Sequence, residues 1–228
     1  MDNIYIFGDS FCAELVPDKN AWTIKLREKF FVINEAEGGA SNHEIFLKFL
    51  KYCDLMPDNS IVILSWSDPT RFYLKSGLVR TEFLYNVYWT NFYNETLDNL
   101  YQKLYTTEVK RLAKLKNLRL LVIWAFPSGY LTDRTNSNWT NSTSNDALYD
   151  YIDEFENEVK PPLIYFSRKE IAHITDQDKI SEFFTADKRA NHLGNQRVHD
   201  ALYNIVCDFA ENKIAGKINL NNRISNGS

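Results

Sequence analysis

The sequence predicts an α/β protein, a three-layer sandwich with a central, mainly parallel five-stranded sheet. Two observations carry that expectation. Five apolar runs, at 4–7, 31–34, 60–66, 118–126 and 162–166, lack polar alternation, which is how strands buried on both faces read. Segments with apolar residues at helical spacing lie between them, and strands alternating with helices build parallel sheets through crossover connections. With 228 residues, 44% of them apolar, the chain can bury a substantial core as one domain.

Taken in order, Ile4 to Phe7 is the first strand, rich in β-branched and aromatic side chains, and it stops at Gly8-Asp9-Ser10. That stop is either a capped turn or a serine presented at the carboxyl edge of a strand, where open α/β sheets place their ligands. Trp22, Leu26 and Phe30 mark a first helix over 20–30, "FVIN" a second strand, and Ile45, Phe49 and Cys53 a helix over 41–53 that Ser41 or Asn42 would cap. A third strand follows "PDN". A long charged helix from Glu95 to Lys116 precedes the fourth strand, "PLIYF" is a fifth, and the last helix runs from Val198 to Ala210. The domain is expected over 1–212, with 213–228 a loose tail ending in "NLNNRISNGS". The aromatic stretch 76–93 and the Asn/Ser/Thr-rich stretch 128–146 follow strand ends, so they either wall the same site or form solvated connections.

Composition narrows the function. A formal charge of −4 gives no pull toward nucleic acid or anionic membrane. Cys12, Cys53 and Cys207 are odd in number and form no CxxC pair, so they read as buried small hydrophobes rather than disulfides or a zinc site, and no metal or cofactor is expected. Asp2 stands where a signal peptide carries basic residues, and no run reaches membrane-spanning length. A soluble product is therefore expected, cytoplasmic or released by lysis, which leaves little weight on the sequons at Asn94, Asn138 and Asn141.

Further polar clusters follow the other strands: "EGGASN" at 37–42, "SWSDPTR" at 65–71 and "DKRANHLG" at 187–194. With "GDS" they resemble, in order and placement, the sequence blocks of the SGNH or GDSL-type serine hydrolases, over residues 4 to about 210. The resemblance implies the flavodoxin-like fold of that family. It makes Ser10 the nucleophile, Gly39 (five residues past Asn34) the second block's glycine, and His192, just before the last helix, the base. Two positions depart from the pattern. Ser67 stands where the family has an oxyanion-binding Asn, and Arg189 where its acid usually lies, three residues before the His. Asp187 is the nearest carboxylate, with Asp176 and Asp178 further upstream.

The implied chemistry explains these residue types. A serine hydroxyl needs a neighbouring base, and imidazole takes and returns a proton near neutral pH. A carboxylate on the other ring nitrogen, the role of Asp187, fixes the tautomer. The N–H groups of Ser10 and Gly39, with one side-chain donor from Ser67 or Asn42, would meet the developing oxyanion. Gly39 lets the backbone approach without a Cβ. The order Ser, Asp, His without a GxSxG motif disfavours an α/β-hydrolase.

Other groups have plainer roles. Asp9 is a structural partner in its turn, Cys12 packs in the core, and His43, His173 and His199 read as surface groups. Trp66 and Arg71 follow the third strand and are candidate substrate contacts, with Asn42, although Arg71 pairs equally well with Asp68. The resulting expectation is a serine esterase that removes a small acyl group, acetyl from a carbohydrate being the leading class. Trp66, Phe72, Tyr73, Tyr88 and Trp89 would stack on sugar rings. The alternatives are a non-catalytic binding or structural module with a degenerate site, and a lipase or thioesterase.

Overall fold

Six strands lie side by side in the order β2-β1-β3-β4-β5-β6, and every neighbouring pair is parallel. They are β1 (Asn3–Phe7), β2 (Phe31–Asn34), β3 (Ile61–Trp66), β4 (Arg119–Trp124), β5 (Leu163–Tyr165) and β6 (Lys217–Asn219). The structure, a computed structural model, describes residues 2–14, 19–67, 95–124, 163–165, 196–214 and 217–219. The first five strands are the five apolar runs. The sixth lies in the segment expected to be a tail, and three residues are too few to show a sequence pattern.

Four helices are described: α1 (Trp22–Leu26), α2 (Asn42–Cys53), α3 (Glu95–Leu115) and α4 (Gln196–Ala210). The strands' alternation divides the interior into two cores. Ile4, Ile6, Ile61, Ile63, Leu121 and Ile123 face Trp22 and Leu26 of α1 and Leu202, Ile205 and Val206 of α4. Tyr5, Phe7, Val62, Leu64, Leu120 and Val122 face Ile45, Phe49 and Cys53 of α2 and Val109 and Ala113 of α3. Both faces being apolar is why these strands show no alternation in sequence.

The helix ends explain where each element stops. Ser41 caps α2 in a reciprocal box: its hydroxyl accepts from the Glu44 N–H while the Glu44 carboxylate accepts from the Ser41 N–H at 2.7 Å. α1 is shorter than the periodicity suggests, because beyond Leu26 the backbone tightens into i→i−3 bonds, Glu28 to Lys25 and Lys29 to Leu26. α3 and α4 end alike. Asn117 and Asn212 take left-handed φ of 51° and 57°, and the next N–H closes back on Ala113 and Asp208 respectively.

The order 2-1-3-4-5 reverses direction between β1 and β3, which makes their carboxyl ends the topological switch point of the sheet. Gly8 is the first residue past β1, and a Cβ built there would lie 2.8 Å from the Ser65 Cβ and 3.0 Å from the Cys12 Sγ. Backbone of β1 and side chain of β3 leave no room for a methyl group. Gly8→Ala is therefore expected to cost about 1–3 kcal/mol of stability through overpacking, read by chemical denaturation. An unchanged midpoint would show slack between the two strand ends.

Candidate functional site

Beyond Gly8 the chain folds onto Asp9, which is fully buried. Its carbonyl accepts the N–H groups of Cys12 and Ala13 at 3.0 and 2.9 Å. One carboxylate oxygen accepts the Phe11 N–H at 3.1 Å, an Asx turn. Ser10 sits in this turn as the one residue whose N–H is not drawn back to Asp9 among the four from Ser10 to Ala13. It is 2% exposed, and its Oγ has no hydrogen-bond partner among the described residues.

The second block is laced to the first. The N–H groups of Glu35 and Glu37 donate to the carbonyls of Ile6 and Gly8 at 2.8 and 3.0 Å, which carries the β1–β2 ladder past both strand ends. Asn34 donates through Nδ2 to the Cys12 carbonyl at 2.9 Å and accepts the Ala36 N–H at 3.0 Å. A turn closed by Ala40 N–H on Glu37 C=O then places Gly39 at φ 83°. That left-handed backbone is by itself a reason for glycine here, independent of any substrate.

From the third block, Ser67 and Asn42 meet directly. The Asn42 side chain pairs with the Ser67 backbone at both ends, accepting its N–H at 2.7 Å and donating to its carbonyl at 3.1 Å. The Ser67 hydroxyl donates to the second carboxylate oxygen of Asp9 at 3.1 Å. A hydroxyl has one proton to give, and this one is held by Asp9. Of the two side chains expected as the third oxyanion donor, Ser67 thus has its single proton engaged, and Asn42 spends one of its two amide N–H groups on the Ser67 carbonyl; together with Asp9 they fasten β1, β3 and the start of α2. Trp66 is 1% exposed and packs in the core beneath α2 and α3, its indole N–H without a partner among the described residues. Its ring is closed to a stacking ligand in this state.

Asp187, His192, Arg71, Asp176, Asp178 and the aromatic residues at 72, 73, 88 and 89 lie outside the described residues. The three cysteines are buried and free. Burial pushes the Cys12 thiol far above its ordinary range, so it stays protonated and serves packing rather than nucleophilic attack. His199 corrects an expectation: it is a core residue, 3% exposed, whose Nδ1 accepts the Trp22 N–H at 3.2 Å. Its polar neighbours in sequence suggested a surface, whereas its own position continues the apolar stripe of Leu202, Val206 and Phe209. His43 is half-buried with Nδ1 2.8 Å from the Tyr105 hydroxyl. Among the described residues no group of three or more His, Cys, Asp or Glu is placed to hold a metal ion, and no helix is long and apolar enough to cross a membrane.

No protein-family model and no curated protein matches the sequence. Solved structures do resemble it. The lipolytic G-D-S-L family member from Veillonella parvula, 14% identical, aligns over 91% of this chain and 97% of its own at a TM-score of 0.49. Protein YxiM of Bacillus subtilis, 19% identical, aligns over 94% of this chain at a TM-score of 0.47, and this chain spans 58% of its length. The psychrotrophic esterase EstA of a Pseudoalteromonas species, seen inhibited by monoethylphosphonate, is 10% identical, with 93% of this chain and 98% of that one aligned at a TM-score of 0.52. The chain thus shares with EstA the α/β fold in which helices cover both faces of a parallel sheet.

Proposed function

We propose that this protein is a serine esterase that works through an acyl-enzyme on Ser10. The observation that carries the reading is the Ser10 hydroxyl, buried at the switch point without a hydrogen-bond partner among the described residues. Leaving a buried hydroxyl unpaired costs about 1–3 kcal/mol. Ser65 and Thr23 also leave a buried hydroxyl unpaired among the described residues, and Ser10 differs from them in lying beyond the carboxyl end of β1, where a catalytic base or a substrate would be its partner. The esterase named among the structures of like fold supports the same assignment, as does the order of the sequence blocks.

In this mechanism His192 takes the Ser10 proton as Oγ attacks the ester carbonyl. Asp187 holds the imidazole tautomer, and the imidazolium returns the proton to the leaving alcohol. Water then repeats the sequence on the acyl-enzyme. The N–H groups of Ser10 and Gly39 stabilise the oxyanion. Ser67 adds a third donor only by leaving Asp9, so part of its gain is offset by the buried bond that it breaks. The substrate we assign is a small acyl ester, acetyl on a carbohydrate, for which Phe72, Tyr73, Tyr88 and Trp89 would offer stacking rings and Arg71 a cation. The engagement of the Ser67 hydroxyl by Asp9 favours, as a second reading, a binding module that has lost turnover.

Incubation with p-nitrophenyl acetate and with a fluorophosphonate separates the two. The wild type is expected to hydrolyse the ester and to be labelled at Ser10, with both lost in Ser10→Ala; an unlabelled, inactive wild type would establish the binding module. Rates along a series of p-nitrophenyl esters should fall as the acyl chain lengthens, and a rise would identify a lipase or thioesterase. Asp187→Asn should lower kcat by about 10⁴-fold with folding intact, and near-normal turnover would mean that another carboxylate or none serves the base.

For Ser67→Ala the bond to Asp9 sets the expected size. The loss in kcat should be smaller than the roughly hundredfold of a full oxyanion donor, accompanied by about 1 kcal/mol of lost stability. Steady-state kinetics and denaturation on the same preparation test this, and a full hundredfold loss with no change in stability would make Ser67 a dedicated oxyanion donor.

A further inference from the structure

We propose that Trp22 is a positioning residue that sets the nucleophile turn against helix α4. The proposal rests on the serine esterase reading. Two hydrogen bonds leave this one fully buried residue in different directions. Its indole Nε1–H donates to the carbonyl of Phe11, the residue after Ser10, at 3.1 Å. Its main-chain N–H donates to His199 Nδ1 at 3.2 Å, across 177 positions of sequence.

The second bond has a local cause. Trp22 opens α1, and the N-cap residue is Ala21, which has no side-chain oxygen to meet the orphan N–H groups of a first turn. His199 performs that cap from the far end of the chain. A ring nitrogen that accepts cannot carry a proton, so the neutral imidazole keeps its proton on Nε2. A histidine on an apolar helix stripe is otherwise costly to bury, and the bond to Trp22 offsets part of that cost.

The functional consequence follows from what lies at each end. Phe11 and Asp9 close the turn that holds Ser10. His199 sits on α4, whose first residue, Gln196, follows His192 by four positions in the sequence. Trp22 is thus the common reference for the nucleophile's turn and for the helix into which the base's segment runs. A displacement of about 1 Å between reacting groups can cost roughly a hundredfold in rate, so a link of this kind acts on kcat while substrate binding is spared.

The test compares Trp22→Phe, His199→Leu and His199→Asn with the wild type and with Lys25→Ala. Lys25 is the control because its ion pair with Asp200, at 2.6 Å, joins the same two helices without touching the Ser10 turn. kcat and KM for p-nitrophenyl acetate and the rate of fluorophosphonate labelling are measured well below each melting temperature. Trp22→Phe and His199→Leu should lower kcat and labelling by about tenfold with KM within about twofold. His199→Asn, whose Oδ1 takes the place of Nδ1, should recover to within about threefold of wild type. Lys25→Ala should lower only the melting temperature.

Unchanged kcat in Trp22→Phe and His199→Leu, an equal loss in Lys25→Ala, or no recovery in His199→Asn would overturn the proposal. Should Trp22→Phe not fold, the two His199 variants decide alone. A labelled, active wild type with kinetically silent variants defeats only the positioning role, whereas an unlabelled, inactive wild type defeats the esterase reading and the positioning role with it.

Discussion

The close approach of β1 and β3 at their carboxyl ends governs the arrangement of everything above them. With 2.8 Å between a notional Cβ on Gly8 and the Ser65 Cβ, the two strands are as near as their side chains permit. Asp9 is then within one hydrogen bond of Ser67, and Ser67 within reach of the first residue of α2. Close-packed interiors transmit such a constraint with little slack. The turn that carries Ser10, the end of β3 and the start of α2 consequently form one unit.

That unit is polar and buried, which gives it two properties at once. In a medium of low dielectric the bonds among Asp9, Ser67 and Asn42 are stronger than they would be in water, and any group left without a partner is costly. Asp9 satisfies its neighbours through both carboxylate oxygens and its carbonyl. The Ser10 hydroxyl stands apart from this arrangement. Under the proposed mechanism, these fixed surroundings would hold the Ser10 hydroxyl ready for attack, as preorganised covalent catalysis requires.

Much of the fold was legible because burial on both faces leaves an unmistakable mark on strands such as "IVILSW", and because Ile45, Phe49 and Cys53 repeat at helical spacing. The sequence left the cap of that helix open between Ser41 and Asn42, and the structure gives it to Ser41, with Glu44 three residues on completing the box. What stayed hidden depends on partners far away in sequence. Nothing near His199 announces that an uncapped helix start 177 positions earlier needs an acceptor. Ser67 and Asn42 each look like local turn or cap residues, and only the fold shows that they are held by one another and by Asp9. Gly39 was read as a glycine for close approach to a substrate, whereas its left-handed φ of 83° belongs to a turn that "EGG" only suggests.

The outer strands carry a consequence of their own. Along the described sheet the length falls from six residues in β3 and β4 to four in β2 at one margin and three in β6 at the other. A margin strand offers a row of unpaired backbone donors and acceptors to any other extended chain, and the number it offers scales with its length. By tapering toward both sides, the described sheet keeps its long apolar strands interior, and among the described residues β6 covers β5 while presenting a margin only three residues long as a template.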